Sequence, residues 1–296
     1  MSKPAVQYDH IEPLAFGGTL PQSATFETAK AVILPVPLES TTSYVPGTRN
    51  GPREILVASS HLELWDEETN TDIHPIGIHT LPEMELPFDD MKDMMTEITR
   101  VTAAILEHHK FPVVLGGEHS ITGAVVAAVA ERHSGVSVLQ IDAHADLRDT
   151  YMGTRFNHAC AMRRVVECAP LTQVGIRSMS TEEARAVPSL RTKIFYDVNM
   201  RRDPNWISKV VESLSETVYI TIDVDGMDPA IMPATGTPEP GGLSWYEMLS
   251  LLRRVIEKRA VVGCDLVELC PIPGMVAPNF LCAKLIYKIL TYYFNK

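Results

Sequence analysis

The chain has 296 residues, 45% of them hydrophobic, enough to bury a substantial core in one large α/β domain or two small ones. Its formal charge of −11 argues against nucleic acid, because phosphate binding needs a basic footprint, and mildly favours a cationic ligand. No apolar run approaches the roughly 20 residues that span a bilayer, so no membrane partner is expected. The start, Met-Ser-Lys-Pro-Ala-Val, lacks the apolar stretch of a secretory signal, and the five cysteines are odd in number with no CxxC pair; reduced thiols in a cytoplasm are expected.

In chain order, Val-Ile-Leu-Pro-Val (32–36) reads as a first strand. Over residues 90–109 the apolar side chains Met91, Met94, Ile98, Val101 and Ile105 recur at the spacing of one helix face. A strand at 111–115, an Ala/Val-rich helix at about 121–133 and a strand at 136–141 follow. Further strands are expected at 172–176, 193–196, 217–222 and 260–268. Helices are expected near 181–187, 205–214 and 244–258, the last opened by a Ser244/Glu247 capping-box pattern. A helix near 278–294 closes the chain. This alternation predicts an α/β fold, a mostly parallel sheet with helices on both faces, and such sheets bind ligands beyond the carboxyl ends of their strands. No repeat, low-complexity tract or linker marks a boundary. Residues 1–296 therefore read as a single domain, with 1–30 as an N-terminal extension packing on that domain or on a neighbouring subunit.

Two apolar runs end in alternating acidic residues and histidine: Asp142-Ala-His144-Ala-Asp146 after 136–141, and Asp223-Val-Asp225 after 218–222. A strand places residues i and i+2 on one side, so each segment presents metal-capable groups toward one point. The strand 111–115 ends in Gly116-Gly117-Glu118-His119-Ser120 and adds an imidazole. Four carboxylates converging unpaired would repel one another and raise each other's pKa. Divalent cations are the simplest compensation, with ligands enough for two. An isolated Asp or His at a strand end ordinarily caps a helix or meets solvent, but six at these spacings on three strands fit that reading poorly. Glu118 is expected either to orient His119 or to pack inward, and His61, His74, His79, His108 and His109 are assigned to surfaces.

Gly-Gly-Glu-His-Ser (116–120), Asp-Ala-His-Ala-Asp (142–146) and Ile-Asp-Val-Asp-Gly-Met-Asp-Pro (222–229) resemble the three signature segments of the ureohydrolase family, which includes arginases and agmatinases. Gly47-Thr48-Arg49, Gly51-Pro52 and Thr235-Gly-Thr-Pro-Glu-Pro-Gly-Gly242 add a resemblance to its agmatinase branch. The resemblance implies a three-layer α/β/α sandwich, a binuclear manganese centre and a homotrimer or homohexamer. It implies that His119 and Asp146 bind one Mn²⁺, that His144 and Asp225 bind the other, and that Asp142 and Asp223 bridge the two. Carboxylates with one imidazole per ion suit Mn²⁺, although the same ligands also accept Ni, Co, Zn or Fe.

The chemistry so implied is hydrolysis of a small cationic guanidino compound to urea and an amine. A guanidinium carbon is a poor electrophile, and two cations about 3.5–4 Å apart activate a shared water against it. Collapse of the tetrahedral intermediate needs a proton on the departing amine. The resemblance implies that Asp146 relays it, that His158 is the proton-shuttling histidine, and that Glu268 grips the guanidinium. Cys270 departs from the Asn usual in relatives and is expected only to pack.

The tail-binding loop, Leu147 to His158, resembles agmatinase loops more than arginase ones. Asp149 is expected near the distal ammonium, and Met152 contacts the tail where many agmatinase relatives have Glu. Arg148 and Arg155 offer themselves to a carboxylate but are better read as loop ion pairs. Agmatine, giving putrescine and urea, is the leading substrate. The alternatives are guanidinobutyrate, guanidinopropionate, arginine or free guanidine and, from another class, a metal-free regulatory paralogue.

Overall fold

The computed structural model describes residues 14–18, 24–86 and 90–296. Its strands are β1 (Ala31–Val36), β2 (Ile78–Thr80), β3 (Phe111–Gly116), β4 (Ser137–Ile141), β5 (Leu171–Ile176), β6 (Thr192–Tyr196), β7 (Thr217–Asp223) and β8 (Ala260–Val267). All pair in parallel, in the order β2-β1-β3-β8-β7-β4-β5-β6. The helices are α1 (Gly51–Ser59), α2 (Met91–Glu107), α3 (Ile121–Arg132), α4 (Ala161–Cys168), α5 (Thr181–Ala186), α6 (Asp197–Met200), α7 (Trp206–Ser213), α8 (Trp245–Lys258) and α9 (Ala277–Phe294).

β1, β3, β4 and β5 are buried at every position, as strands covered on both faces must be. The pleat sends alternate side chains to opposite layers. Val32, Leu34, Val114 and Val138 meet α2, α3 and α4 on one face. Ile33, Val113, Leu139 and Ile220 meet α1, α7, α8 and α9 on the other. The expected α/β/α sandwich is thus borne out, and Ser244 and Glu247 do form a capping box at the start of α8. Sequence periodicity missed α1, α4, α6 and the three-residue edge strand β2. In α1 the Gly-Pro start reads as a turn, although proline fits the first helical turn, where its missing N–H is not needed.

Four neighbouring central strands, β3, β8, β7 and β4, end level with one another: Leu115 lies beside Leu266, Asp223 beside Val267 and Ile141 beside Ile222. Their carboxyl ends therefore open onto one crevice. Most of the N-terminal segment 1–30, expected to pack on the domain or a neighbour, lies outside the described residues. Within it, Phe16 is buried and its N–H donates to Thr80 Oγ1 (2.9 Å).

Lys288 of α9 is 2% exposed, with Nζ 2.7 Å from Oδ2 of the buried Asp66. Burial alone would raise the Asp66 carboxyl, but the Lys288 ammonium and hydrogen bonds from Thr69 outweigh it and hold it below its usual range. Lys288→Met strands that carboxylate and should cost about 3 kcal/mol in chemical denaturation at neutral pH. A folded-state value below the unfolded one makes this contribution present above the unfolded pKa and lost as pH falls through the folded one, so the parent's advantage should shrink in acid.

Candidate metal centre and active site

The carboxyl ends of β3, β4 and β7 bring all six expected ligands together. His119 Nδ1 lies 3.1, 3.2 and 3.4 Å from carboxylate oxygens of Asp142, Asp146 and Asp223. His144 Nδ1 lies 2.9 Å from Asp225 Oδ2 and 3.7 Å from Asp142 Oδ1. Two ligand clusters result, His119/Asp142/Asp223 and Asp142/His144/Asp225. Asp142 belongs to both; the second oxygen of Asp223 instead accepts the Asp225 N–H at 2.9 Å. Two backbone features permit this convergence. Asp146 adopts a left-handed conformation (φ 52°), and a Cβ on Gly226 would come within 2.8 Å of the Asp142 nitrogen.

His119 is oriented from behind. Tyr219, Thr221 and Thr122 all donate to the buried Asp265, and the Thr221 hydroxyl, its proton spent on Asp265 at 2.6 Å, can only accept from His119 Nε2 at 2.9 Å. Nδ1 is thereby aimed at the carboxylates, where it is buried without a hydrogen-bond partner. Carboxylate-backed imidazoles of this kind are a common support of metal sites.

The electrostatics call for positive charge. Burial, then the charges of Asp225 and Asp142, push the Asp223 carboxyl well above its usual range. Asp146 and Asp225 are raised by burial and by Asp142. Burial would also raise Asp142, but the neighbouring His119 and His144 imidazoles dominate and lower it. The histidines respond in kind: against the penalty of burial, Asp225 and Asp142 push His144 up to about 12, and Asp142, Asp146 and Asp223 hold His119 well above its ordinary value. Surroundings that so favour positive charge, with a donor set of carboxylate oxygens and two imidazole nitrogens, fit two divalent ions.

Glu268, just past β8, is also left-handed (φ 66°) and fixed by the His119 N–H, which donates to Oε1 at 2.7 Å. Burial, with Glu118 and Asp225 adding to it, pushes its carboxyl up to about 8. Glu268, Asp146, Asp223, His144 and His158 line one cavity of about 250 Å³. His158 stands at its wall, with Nδ1 3.2 Å from Thr41 Oγ1 and Nε2 3.3 Å from Ser43 Oγ.

Two expectations need correction. Asp149 does not face the cavity: its side chain is 63% exposed and accepts from Arg164 (2.7 Å), which turns it away from the ligands. Met152 is 69% exposed at a loop tip and also lies off the cavity wall. Glu118 takes the second of its two expected roles: it packs inward, fully buried, and accepts from the loop around Ser40 and Thr41. Arg148 and Arg155 pair with Glu183 (3.7 Å) and Glu167 (2.8 Å), as expected of loop ion pairs. The cavity wall missed from sequence is Ser43, Tyr151, Ser178, Met179, Ser180, Glu183 and Thr237. Residues 178–183 follow β5, so the strand-end rule pointed toward them.

The chain matches the Arginase family over residues 29–291. It belongs to that family. The ureohydrolase resemblance of its three segments is borne out. This arginase-family chain is 42% identical to the N(1)-aminopropylagmatine ureohydrolase of Synechocystis sp., over 91% of its length and 90% of that protein's. It is 35% identical to the agmatinase of Pyrococcus horikoshii, over 88% and 91% of the two chains. Among solved structures, the agmatine ureohydrolase of Thermoplasma volcanium superposes with a TM-score of 0.86 at 32% identity, covering 95% of each chain. Among the described residues no helix is long and apolar enough to cross a membrane.

Proposed function

We propose that this arginase-family protein is a manganese-dependent ureohydrolase, acting as a homo-oligomer on agmatine or its N1-aminopropyl derivative to release urea and an amine. The carrying observation is the buried, unpartnered Nδ1 of His119, aimed at three carboxylates beside a cavity that also holds Glu268. His119, Asp142, His144, Asp146, Asp223 and Asp225 would hold the two ions, Asp142 being the residue common to both ligand clusters. When bound, the manganese pair supplies Lewis acidity and makes water a competent nucleophile at neutral pH.

The remaining work falls to the chain. The Glu268 carboxylate receives the guanidinium N–H groups, a forked ionic contact that orients the carbon. Asp146 and His158 border the same cavity and carry the proton that the departing amine requires. The buried backbone around them keeps the reacting groups in place. An amine tail is favoured over a carboxylate one because Arg148, the arginine on the cavity wall, is already engaged by Glu183 and by the Tyr151 ring. The aminopropyl tail is weighed beside agmatine because of the 42%-identical relative named for it.

A substrate panel tests this reading. The manganese-loaded protein should show its highest kcat/KM on agmatine or N1-aminopropylagmatine, and chelation should abolish urea release until Mn²⁺ is restored. A higher value on guanidinobutyrate, guanidinopropionate, arginine or guanidine would remove the substrate assignment, and turnover by metal-free protein would remove the manganese mechanism.

A further inference from the structure

We infer that Thr41, anchored by Glu118, is a positioning residue that fixes the ring orientation and tautomer of His158 and leaves Nε2 as its proton-exchanging nitrogen; the inference rests on the reading of His158 as a proton carrier. Glu118 is fully buried beside His119, yet its carboxylate points to the loop after β1. Oε2 accepts the backbone N–H groups of Ser40 and Thr41, both at 2.6 Å. Oε1 accepts the hydroxyls of Thr41 (2.7 Å) and Ser120 (2.6 Å). Close approach makes this reach possible: a Cβ on Gly117 would sit 2.0 Å from the Leu38 carbonyl oxygen.

A carboxylate only accepts, so the single Thr41 hydroxyl proton is committed to Glu118. Thr41 Oγ1 then has two lone pairs left. One accepts the His158 backbone N–H at 3.0 Å, and the other faces His158 Nδ1 at 3.2 Å. That contact bonds only if Nδ1 carries a hydrogen. A neutral imidazole has one N–H, so Nε2 is left bare beside Ser43 Oγ. In the protonated ring the Nε2 proton is the one free to leave. Its N–H bond breaks as one forms on the departing amine nitrogen, and the ring returns to the Nδ1–H tautomer.

The test uses the manganese-loaded enzyme with agmatine, measuring kcat, KM and bound metal for Thr41→Val, Thr41→Ala, Thr41→Ser, His158→Asn and Thr41→Val/His158→Asn. Loss of the hydroxyl should lower kcat about ten- to a hundredfold, the range of a misdirected acid–base group, with KM and metal content unchanged. Thr41→Ser keeps the hydroxyl and should restore most of the turnover. In the His158→Asn background Thr41→Val should add less than about a twofold loss, because the two residues act as one unit. Full turnover of both hydroxyl-less variants beside a slow His158→Asn would overturn the inference alone, as would an undiminished effect of Thr41→Val in the double variant. Full turnover of His158→Asn would remove the proton-carrier reading and this inference with it.

Discussion

Asp142→Asn is expected to release urea at less than about one hundredth of the parent rate and to purify with depleted metal. Mutating the outer supports of a metal site costs about 10–100-fold, so loss of a shared ligand should exceed that upper bound. Asp142 would be that shared ligand: among the described residues it is the one common to both clusters, with Oδ2 3.1 Å from His119 Nδ1 and Oδ1 3.7 Å from His144 Nδ1. Asparagine keeps the shape but removes the charge and turns one oxygen into a donor. That donor would face the Gln140 amide, which donates to Oδ2 at 2.6 Å, or the His144 N–H, which donates to Oδ1 at 2.6 Å. Either placement opposes two donors in a fully buried site. Elemental analysis with circular dichroism decides the matter: a folded variant with two ions per chain and near-parent turnover would show that Asp142 does not join the two clusters.

The convergence of the candidate metal-binding groups is legible because their spacing coincides with strand geometry. Asp142 and His144, like Asp223 and Asp225, stand two residues apart where β4 and β7 end, and parallel pairing brings those ends level. Long, periodic helices such as α2 and α8 were equally plain. Short elements were not, since the three residues of β2 and the Gly-Pro start of α1 carry no period to detect.

The tail-binding side of the site was misread for a different reason. Asp149 is expected near the distal ammonium from the resemblance of its loop, but Arg164 from α4 captures its carboxylate. Nothing local to residues 147–152 encodes a partner 15 positions away on a helix that periodicity had missed. Glu118 shows the same limit. Sequence leaves it between orienting His119 and packing inward, and tertiary packing decides by directing the adjacent side chains oppositely, His119 to the carboxylates and Glu118 to Thr41.

Glu268→Gln should lower kcat/KM by roughly thirtyfold to several thousandfold, the kinetic equivalent of about 2–5 kcal/mol for breaking a buried, hydrogen-bonded charge pair. The glutamine still accepts the His119 N–H through Oε1, so the left-handed turn and the ligand clusters have no cause to move. What disappears is negative charge in a place where burial and the neighbouring Glu118 and Asp225 already make it costly. A substrate guanidinium relieves that cost by ion pairing, so binding a cation and stabilising the carboxylate are one event. The neutral amide forfeits both the charge and one of two acceptor oxygens. Metal content should stay at the parent value, which separates this residue from Asp142. Depleted metal in Glu268→Gln would make Glu268 a ligand, and an unchanged kcat/KM would place the guanidinium elsewhere in the cavity.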